Sequence, residues 1–256
     1  MSDKIFRKIS KLATKAISTY QMIEEGDRLL VGLSGGNDSM LLMHLLTRLQ
    51  KRAPISFHIE AITIDAGFDG FHSKTIEAYA KSQSWNHTTV SFDGKKLIID
   101  KGLDKRPCSL CARLRRGKIH EFADLQKCNK IVLGQHLDDI CVSFMISLFR
   151  GHGLRTMAPN VSADVENGGN KRLIRPLCLV QKEMIERCCT QEFDFPNCGD
   201  CDYSETLSEH GDRSYLESKL NELEKHFPHI RSHMLSSLSD LRPAFLMDTN
   251  FMDLLK

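Results

Sequence analysis

Residues 29–49 read LLVGLSGGNDSMLLMHLLTRL, and this stretch decides the fold class. It begins with a continuous apolar run at 29–33, which is typical of a short strand buried on both faces of a sheet. Two glycines follow at once, and the apolar segment at 40–49 has the pattern of a helix. The stretch therefore predicts a buried strand, a glycine-rich turn and a helix.

The rest of the chain alternates in the same way. Further strand patterns lie at 55–64, 88–92, 130–133 and 173–177. Helical patterns lie at 5–23, 71–83, 110–126, 137–149, 214–227 and 228–241. Because strands and helices alternate with short joins, we predict a Rossmann-like α/β fold with a parallel five-stranded sheet. The predicted segments are an N-terminal helical segment (1–27), an α/β domain (28–185) and a helical C-terminal extension (186–256) that carries the second of two cysteine pairs.

Composition narrows the class of protein. The chain has 256 residues, of which 41% are hydrophobic and 27% charged, as in ordinary soluble domains. The net charge of +2 permits a nucleic-acid partner without arguing for one. No apolar run approaches the roughly 18–20 residues of a membrane span, and the N-terminus lacks the apolar core of a secretory signal. We therefore expect a cytoplasmic protein with no membrane partner.

The glycine loop, residues 34–39, is suited to phosphate. A turn between a buried strand and a helix directs several backbone N–H groups at one point, and the helix dipole adds to their attraction for an anion. Gly35 and Gly36 let the backbone approach the anion closely. The loop lacks the Gly-Lys-Ser/Thr ending of the Walker loop and the three spaced glycines of the dinucleotide fingerprint. The alternative is a simple strand–helix join in which Asp38 caps the helix.

The loop resembles the PP-loop, Ser-Gly-Gly-x-Asp-Ser, of enzymes that split ATP between its α and β phosphates and adenylate a substrate. The resemblance implies that ATP binds to Ser34, Gly35, Gly36, Asn37, Asp38 and Ser39. It implies a catalytic role for Asp38 beside Mg²⁺ or pyrophosphate, and phosphate hydrogen bonds from Ser34 and Ser39.

Two other strand ends extend this resemblance. Asp65 ends the second predicted strand, on the edge where parallel sheets bind ligands, and the family implies contact with the adenosine there. Residues 134–139, GQHLDD, resemble the Gly-His-x-x-Asp-Asp element of tRNA-modifying PP-loop enzymes. That resemblance places Gly134, His136 and Asp139 at the nucleotide site. The alternative is that Asp138 and Asp139 only cap the following helix.

Nine cysteines are an unusual number for this chain, and four of them form two Cys-x-x-Cys pairs. The pairs are Cys108 with Cys111 and Cys198 with Cys201. An odd total fits a disulfide framework poorly, whereas such pairs commonly ligate metals or carry redox chemistry. The spacing alone leaves open a zinc site, an iron–sulfur cluster and a redox pair. The other five cysteines are predicted to be small core residues.

Several segments resemble the tRNA 2-thiocytidine synthetase (TtcA) family. They are PCSLCARLRRG at 107–117, GQHLDD at 134–139, LFRG at 148–151, IRPL at 174–177 and DTNF at 248–251. The resemblance implies a [4Fe–4S] cluster held by Cys108, Cys111 and Cys198, which are also catalytic because they leave one iron open. Cys201 is then spare, or a fourth ligand in a resting or zinc-filled form. The chain departs from the family at Asn37, commonly Lys, and at Gln135, commonly His.

The family resemblance implies an ATP-dependent tRNA sulfurtransferase that makes 2-thiocytidine in an anticodon loop. It also implies a cysteine desulfurase as sulfur donor and a homodimer. Four cations after the first cysteine pair are candidate RNA contacts, although a solvated helix face is the alternative: Arg113, Arg115, Arg116 and Lys118. Two other functions stay open. One is a lysidine-synthetase-like or other RNA-adenylating enzyme with structural zinc, and the other is a non-catalytic, cluster-bearing RNA-binding paralogue.

Overall fold

A computed structural model describes residues 4–100, 107–163, 171–201, 203 and 211–246, without the side chains of 107, 108 and 244. Six strands lie in these residues: β1 (Arg28–Gly32), β2 (His58–Asp65), β3 (His87–Ser91), β4 (Lys130–Val132), β5 (Asn160–Ser162) and β6 (Arg172–Ile174). The helices are α1 (Lys4–Thr19), α2 (Asn37–Gln50), α3 (Ser73–Ser82), α4 (Gly94–Asp100), α5 (Pro107–Leu125), α6 (Leu137–Phe149), α7 (Lys182–Glu192), α8 (Asp212–His226) and α9 (Ile230–Ser239). A 3₁₀ turn follows at Pro243–Phe245.

The strands form one sheet in the order β3-β2-β1-β4-β6-β5. All neighbours are parallel except β5, which runs antiparallel to β6. The chain builds outward from β1 in one direction and then resumes on its other side at β4. A parallel sheet binds ligands at such a reversal, beyond the carboxyl ends of the strands. Both the glycine loop and the 134–136 turn leave the sheet there.

The predicted α/β fold and parallel core are confirmed, but the predicted number of five strands is wrong. The structure adds β5, a three-residue edge strand with Asn160 and Ser162 at its ends. Asn is depleted in strands, and three residues are too few to show an alternating pattern. The short helix α4 was also absent from the sequence-based expectation.

The core follows from the apolar strand patterns. Leu29, Leu30 and Val31 of β1 have no exposed surface, as expected of a strand covered on both faces. One buried cluster joins Leu30 and Ile62 to Phe122 of α5, so this helix covers one face of the sheet.

The N-terminal helix is amphipathic and anchored at its start. Phe6, Ile9 and Ala13 are among its buried residues. The carboxylate of Glu192, in the last turn of α7, accepts the backbone N–H groups of Ile5 at 2.9 Å and Phe6 at 3.2 Å. These bonds satisfy two of the N–H groups that have no partner within α1.

The chain forms two compact units, residues 1–137 with 158–209 and residues 138–157 with 210–256. The first unit contains the whole sheet and the second cysteine pair. The second contains most of α6 together with α8 and α9. This grouping differs from the predicted segments 1–27, 28–185 and 186–256, whose boundaries stay a prediction. None of the helices in the described residues is long and apolar enough to cross a membrane.

Candidate active site

The glycine loop is closed by its own hydrogen bonds. Gly35 has a φ of +84°, a backbone conformation open mainly to glycine. The Ser39 hydroxyl donates to the Gly36 carbonyl at 2.9 Å and accepts the Ser34 N–H at 3.2 Å. The first N–H groups of α2, which lack partners inside the helix, lie at this loop. The loop and the positive end of the α2 dipole together form an anion site.

The 134–136 turn packs directly against the glycine loop. A Cβ added to Gly134 would lie 3.3 Å from the carbonyl carbon of Asp38 and 3.4 Å from the amide nitrogen of Ser39. Glycine at 134 therefore lets the turn after β4 pack closely against the first turn of α2. His136 is buried beside this contact. Gln135 accepts a hydrogen bond of 3.0 Å from the buried Arg175, which gives the departure at 135 a structural role.

Asp65 ends β2, and its carboxylate organises the neighbouring turn. One oxygen accepts the Gly67 N–H at 2.9 Å and the other accepts the Ser73 hydroxyl at 2.5 Å. The residues on either side, Ile64 and Ala66, line the cavity described next. Asp65 therefore shapes the rim of the site through the turn it holds, and its contact with adenosine stays a prediction.

A cavity of about 750 Å³ opens between the glycine loop and both cysteine-bearing parts of the first unit. The loop contributes Ser34, Gly35, Gly36 and Asn37. Helix α5 contributes Cys111, Ala112 and Arg115, and residues 195–201 contribute a further wall, with Cys198 and Cys201. Its volume is in the range of small-molecule sites. The structure thus brings the glycine loop and three cysteines to one space.

Cys198 touches the glycine loop. A Cβ on Gly35 would lie 2.7 Å from the Cβ of Cys198 and 3.2 Å from its Sγ. The backbone of Cys198 is held from the other side, because its carbonyl accepts the His72 N–H at 2.8 Å. Next to it, Gly199 has a φ of +67°, and a Cβ there would lie 1.9 Å from the Gly70 carbonyl oxygen. Two glycines therefore set the position of this thiol.

Cys111 and Cys201 lie on the same apolar cluster, formed around Ala66, Phe68 and Ile98. Burial raises the pKa of Cys111, the Arg115 charge lowers it, and the charge of Cys201 raises it. Burial also raises the pKa of Cys198. At both Cys111 and Cys198 the net shift of the pKa is upward, which favours the protonated thiol, and a bound metal would reverse that preference.

Cys108 is in the first turn of α5, three residues before Cys111, and its side chain lies outside the described residues. Positions three apart on a helix share one face. In the part of the chain that the structure describes, no group of three His, Cys, Asp or Glu side chains is arranged to hold a metal ion. Thiols in one cavity are nevertheless the donor type that iron–sulfur clusters require, so the residues present fit such a group.

The other five cysteines are in the interior, as predicted. Cys128, Cys141, Cys178, Cys188 and Cys189 are all buried. Burial raises the pKa of Cys141, Cys178 and Cys189 to about 12, which makes these thiols inert near neutrality.

The four candidate RNA-binding cations on α5 differ in their surroundings. Arg115 lines the cavity next to Cys111. Arg113 and Arg116 are exposed, and Lys118 is paired with Glu121 at 2.8 Å. The sequence placed all four in one group, but the helix directs Arg115 toward the site.

The acid pair of the 134–139 element belongs to the second unit. There Asp138 is buried and accepts a hydrogen bond of 2.6 Å from Arg231, while Asp139 is paired with Arg213. Arg231 also binds Asn221 and Glu224. Sequence reasoning missed Arg231, because no local motif marks a cation that reaches an acid 93 residues away. A role for Asp139 at the nucleotide stays a prediction.

Sequence reasoning also missed residues 195–197 as a wall of the cavity. Asn197 accepts the Gly199 N–H at 2.9 Å and so shapes the turn around Cys198. The signal was present as Pro-Asn before Cys-Gly, a combination typical of turns.

The comparisons with known proteins decide the family. The model of the PP-loop domain matches residues 1–196. The chain belongs to the PP-loop family. Curated relatives are the tRNA-cytidine(32) 2-sulfurtransferases of Geotalea uraniireducens (34% identical, 97% of each chain) and Pelobacter propionicus (36% identical, 95% of this chain and 89% of the relative). Because identity extends over nearly the whole length, this PP-loop protein also belongs to the tRNA-cytidine(32) 2-sulfurtransferase (TtcA) family.

A solved structure supports the fold of this PP-loop protein. The U34-tRNA thiolase NcsA from Methanococcus maripaludis, determined with its [4Fe–4S] cluster, superposes with a TM-score of 0.74. The match covers 93% of this chain and 80% of NcsA at 20% sequence identity. At that identity the likeness concerns the fold alone.

Proposed function

We propose that this PP-loop protein is an ATP-dependent tRNA sulfurtransferase that converts an anticodon-loop cytidine to 2-thiocytidine. The observation that carries the proposal is the contact of Cys198 with Gly35 inside one cavity. An adenylating loop and a sulfur-handling site must act in turn on the same carbon, so they must share one space. Family membership, with relatives named for cytidine thiolation, supports the same reaction.

The glycine loop handles the first step. Backbone N–H groups at residues 35–37 and the α2 dipole hold the phosphates of ATP, and the Asp38 carboxylate binds Mg²⁺ on the pyrophosphate side. The C2 oxygen of cytosine then attacks the α-phosphate and pyrophosphate leaves. This step turns a poor oxygen leaving group into AMP, which departs when sulfide attacks C2.

The cysteines serve the second step. Cys108, Cys111 and Cys198 would hold a [4Fe–4S] cluster, which would supply a binding position for the incoming sulfide. Cys198 touches the glycine loop, so a sulfide held there would be close to the base that the loop helps to adenylate. Cys201 lies on the Cys111 side of the cavity and stays outside the proposed ligand set.

The RNA approaches over α5 in this proposal. Arg113 and Arg116 are exposed for phosphate contacts, and Arg115 lies inside the cavity, where the splayed-out base must enter. Enzymes that modify a loop base suit a single-stranded target. We further propose a cysteine desulfurase as sulfur source, a homodimeric assembly and a cytoplasmic location.

Nucleoside mass spectrometry of tRNA from a strain lacking this protein tests the proposal. Thiocytidine is expected to vanish and to return with the wild-type gene but not with Asp38→Ala. Unchanged thiocytidine in the deletion strain would overturn the proposed product. A colourless protein with one tightly held zinc after anaerobic purification would favour a lysidine-synthetase-like enzyme.

A further inference from the structure

A groove of about 610 Å³ runs between α1 and the C-terminal half of α2, and the proposed reaction makes no use of it. Its floor is apolar, with Leu45 and Leu49, and four cations surround it. The lining residues are Arg7, Ser10, Lys11, Thr14, Leu45, Arg48, Leu49 and Arg52. We call this feature the α1–α2 groove.

Positive charge is concentrated around this groove. Helix α1 has five basic residues and no acid, and residues 48–52 add three more cations without an acid. Since the net charge of the whole chain is only +2, the remainder of the chain is net acidic. The groove is therefore one place where a chain of nearly balanced charge presents a positive surface.

This arrangement destabilises α1 when the protein is alone. Lys4 and Lys8, Arg7 and Lys11, and Lys11 and Lys15 are like charges four residues apart, which repel on a helix. The first turn of α1 has no acid of its own, and the carboxylate at its N-terminus is that of Glu192 in α7. No carboxylate among the described residues pairs with Arg7, Lys11 or Arg52. A polyanion would relieve this repulsion.

The cation at the centre of the groove is already positioned. The guanidinium of Arg48 lies 5.4 Å from the centre of the Phe6 ring, at a cation–π distance. Because this contact restricts the side chain, less entropy is lost when an anion binds.

The chemistry favours RNA over a lipid surface. A basic amphipathic helix binds membranes by burying its apolar face, but Phe6, Ile9 and Ala13 of α1 are buried in the protein. Phosphates need only cations, and Arg7, Lys11 and Arg52 are exposed along the groove.

We propose that the α1–α2 groove binds the phosphate backbone of the RNA substrate outside its reacting loop. The inference rests on the proposed function, since it extends the tRNA site. Helix α2 has its first turn at the glycine loop and its last turn at the groove, and 14 residues span about 21 Å. An RNA with its loop base in the cavity has phosphates beyond that distance, in its stem.

The test compares two double variants with the same charge change. Lys11→Gln with Arg52→Gln removes two groove cations, and Lys81→Gln with Lys127→Gln removes two exposed cations elsewhere. Binding of unmodified tRNA is measured from low to moderate salt, alongside binding of ATP. We expect the groove variant to bind tRNA roughly tenfold more weakly, with a salt slope reduced by about 0.9 for each lost phosphate contact. The control variant and ATP binding should match wild type.

Several outcomes would overturn the inference. If the groove variant and the control variant bind tRNA with equal affinity, the groove is only a solvated surface. An unchanged tRNA affinity with slower sulfur transfer from a protein donor would make it a protein-docking site. Loss of binding to phosphatidylserine vesicles, without loss of tRNA binding, would make it a lipid site. Failure of the wild type to bind any tRNA would instead count against the proposed function.

Discussion

The glycine loop and residues 196–201 line the same cavity, but the fold specifies them in different ways. The loop is local, since Ser34, Gly36 and Ser39 hydrogen-bond among themselves within six residues. The cysteine segment at 196–201 depends on remote partners, with the His72 N–H on Cys198 and the Gly70 carbonyl beside Gly199. A structure held by local hydrogen bonds can be predicted from a sequence motif. A structure held by remote residues can be seen only in the folded chain.

Gly35→Ala should have the largest effect, because Gly35 is where the two regions touch. The left-handed φ of +84° costs a non-glycine residue about 1–2 kcal/mol. Overlap with the Cys198 Cβ at 2.7 Å adds about 1–3 kcal/mol. We expect ATP-dependent thiolation to fall by roughly two orders of magnitude, measured as thiocytidine formed per minute.

Gly36→Ala is the matched control. Gly36 has a φ of −76°, and the nearest atom to an added Cβ is the Ser34 Oγ at 3.5 Å. Because Gly36 also lines the anion site, this variant should lose some activity, but less than Gly35→Ala, since it adds neither a strained φ nor an overlap with Cys198. If the two variants lose the same amount of activity, the loop rejects side chains for a reason that does not involve its contact with Cys198.

Gly199→Ala should disturb the cysteine segment at 196–201 and leave the glycine loop intact. A Cβ there meets the Gly70 backbone oxygen at 1.9 Å, so the cysteine segment must move, at an expected cost of about 2–4 kcal/mol. Thiolation should fall while ATP binding by the glycine loop stays near wild type, as measured by calorimetry. Gly117→Ala, with nothing within 4 Å in α5, is the control and should be neutral or slightly stabilising. Weaker ATP binding in Gly199→Ala would contradict the independence of the loop.

The smallest expected effect is a change of stability with pH, and it arises in the aromatic cluster that links α2 to the cysteine segment. His44 of α2 contacts the rings of Phe193 and Phe195, and its Nε2 lies 2.8 Å from the Tyr79 hydroxyl. Burial lowers the pKa of His44 to about 4. The unfolded chain therefore binds a proton at His44 near pH 6.5, whereas the folded protein binds it only near pH 4. The free energy of unfolding is thus highest above pH 6.5 and decreases as the pH falls toward 4.

Because His44 is only partly buried, we expect the free energy of unfolding to decrease by about 1–2 kcal/mol over that pH range. Urea unfolding at pH 7.5 and pH 5 measures it. His44→Phe, which cannot titrate, should show a smaller difference between the two pH values than wild type. An equal difference would assign the pH dependence to other groups.

The sequence predicted those features of the fold and the site that depend on local patterns of residues. Continuous apolar runs identified the central strands, and the glycine motif identified the PP-loop family. It missed β5, whose place depends on pairing with β6, and it grouped Arg115 with its exposed neighbours, because helix direction relative to the cavity is a tertiary property. The pairing of Asp138 with Arg231 was invisible for the same reason. The contact of Cys198 with the loop needed coordinates, since 163 residues separate it from Gly35.

The shared cavity is tested most directly by anaerobic thiolation of tRNA with Cys198→Ala and Cys201→Ala, together with ATP binding. We expect Cys198→Ala to make no thiocytidine yet to bind ATP as wild type does, and Cys201→Ala to retain thiolation. Thiocytidine formation by Cys198→Ala at the wild-type rate, or its loss in Cys201→Ala alone, would show that Cys198 does not join the two steps.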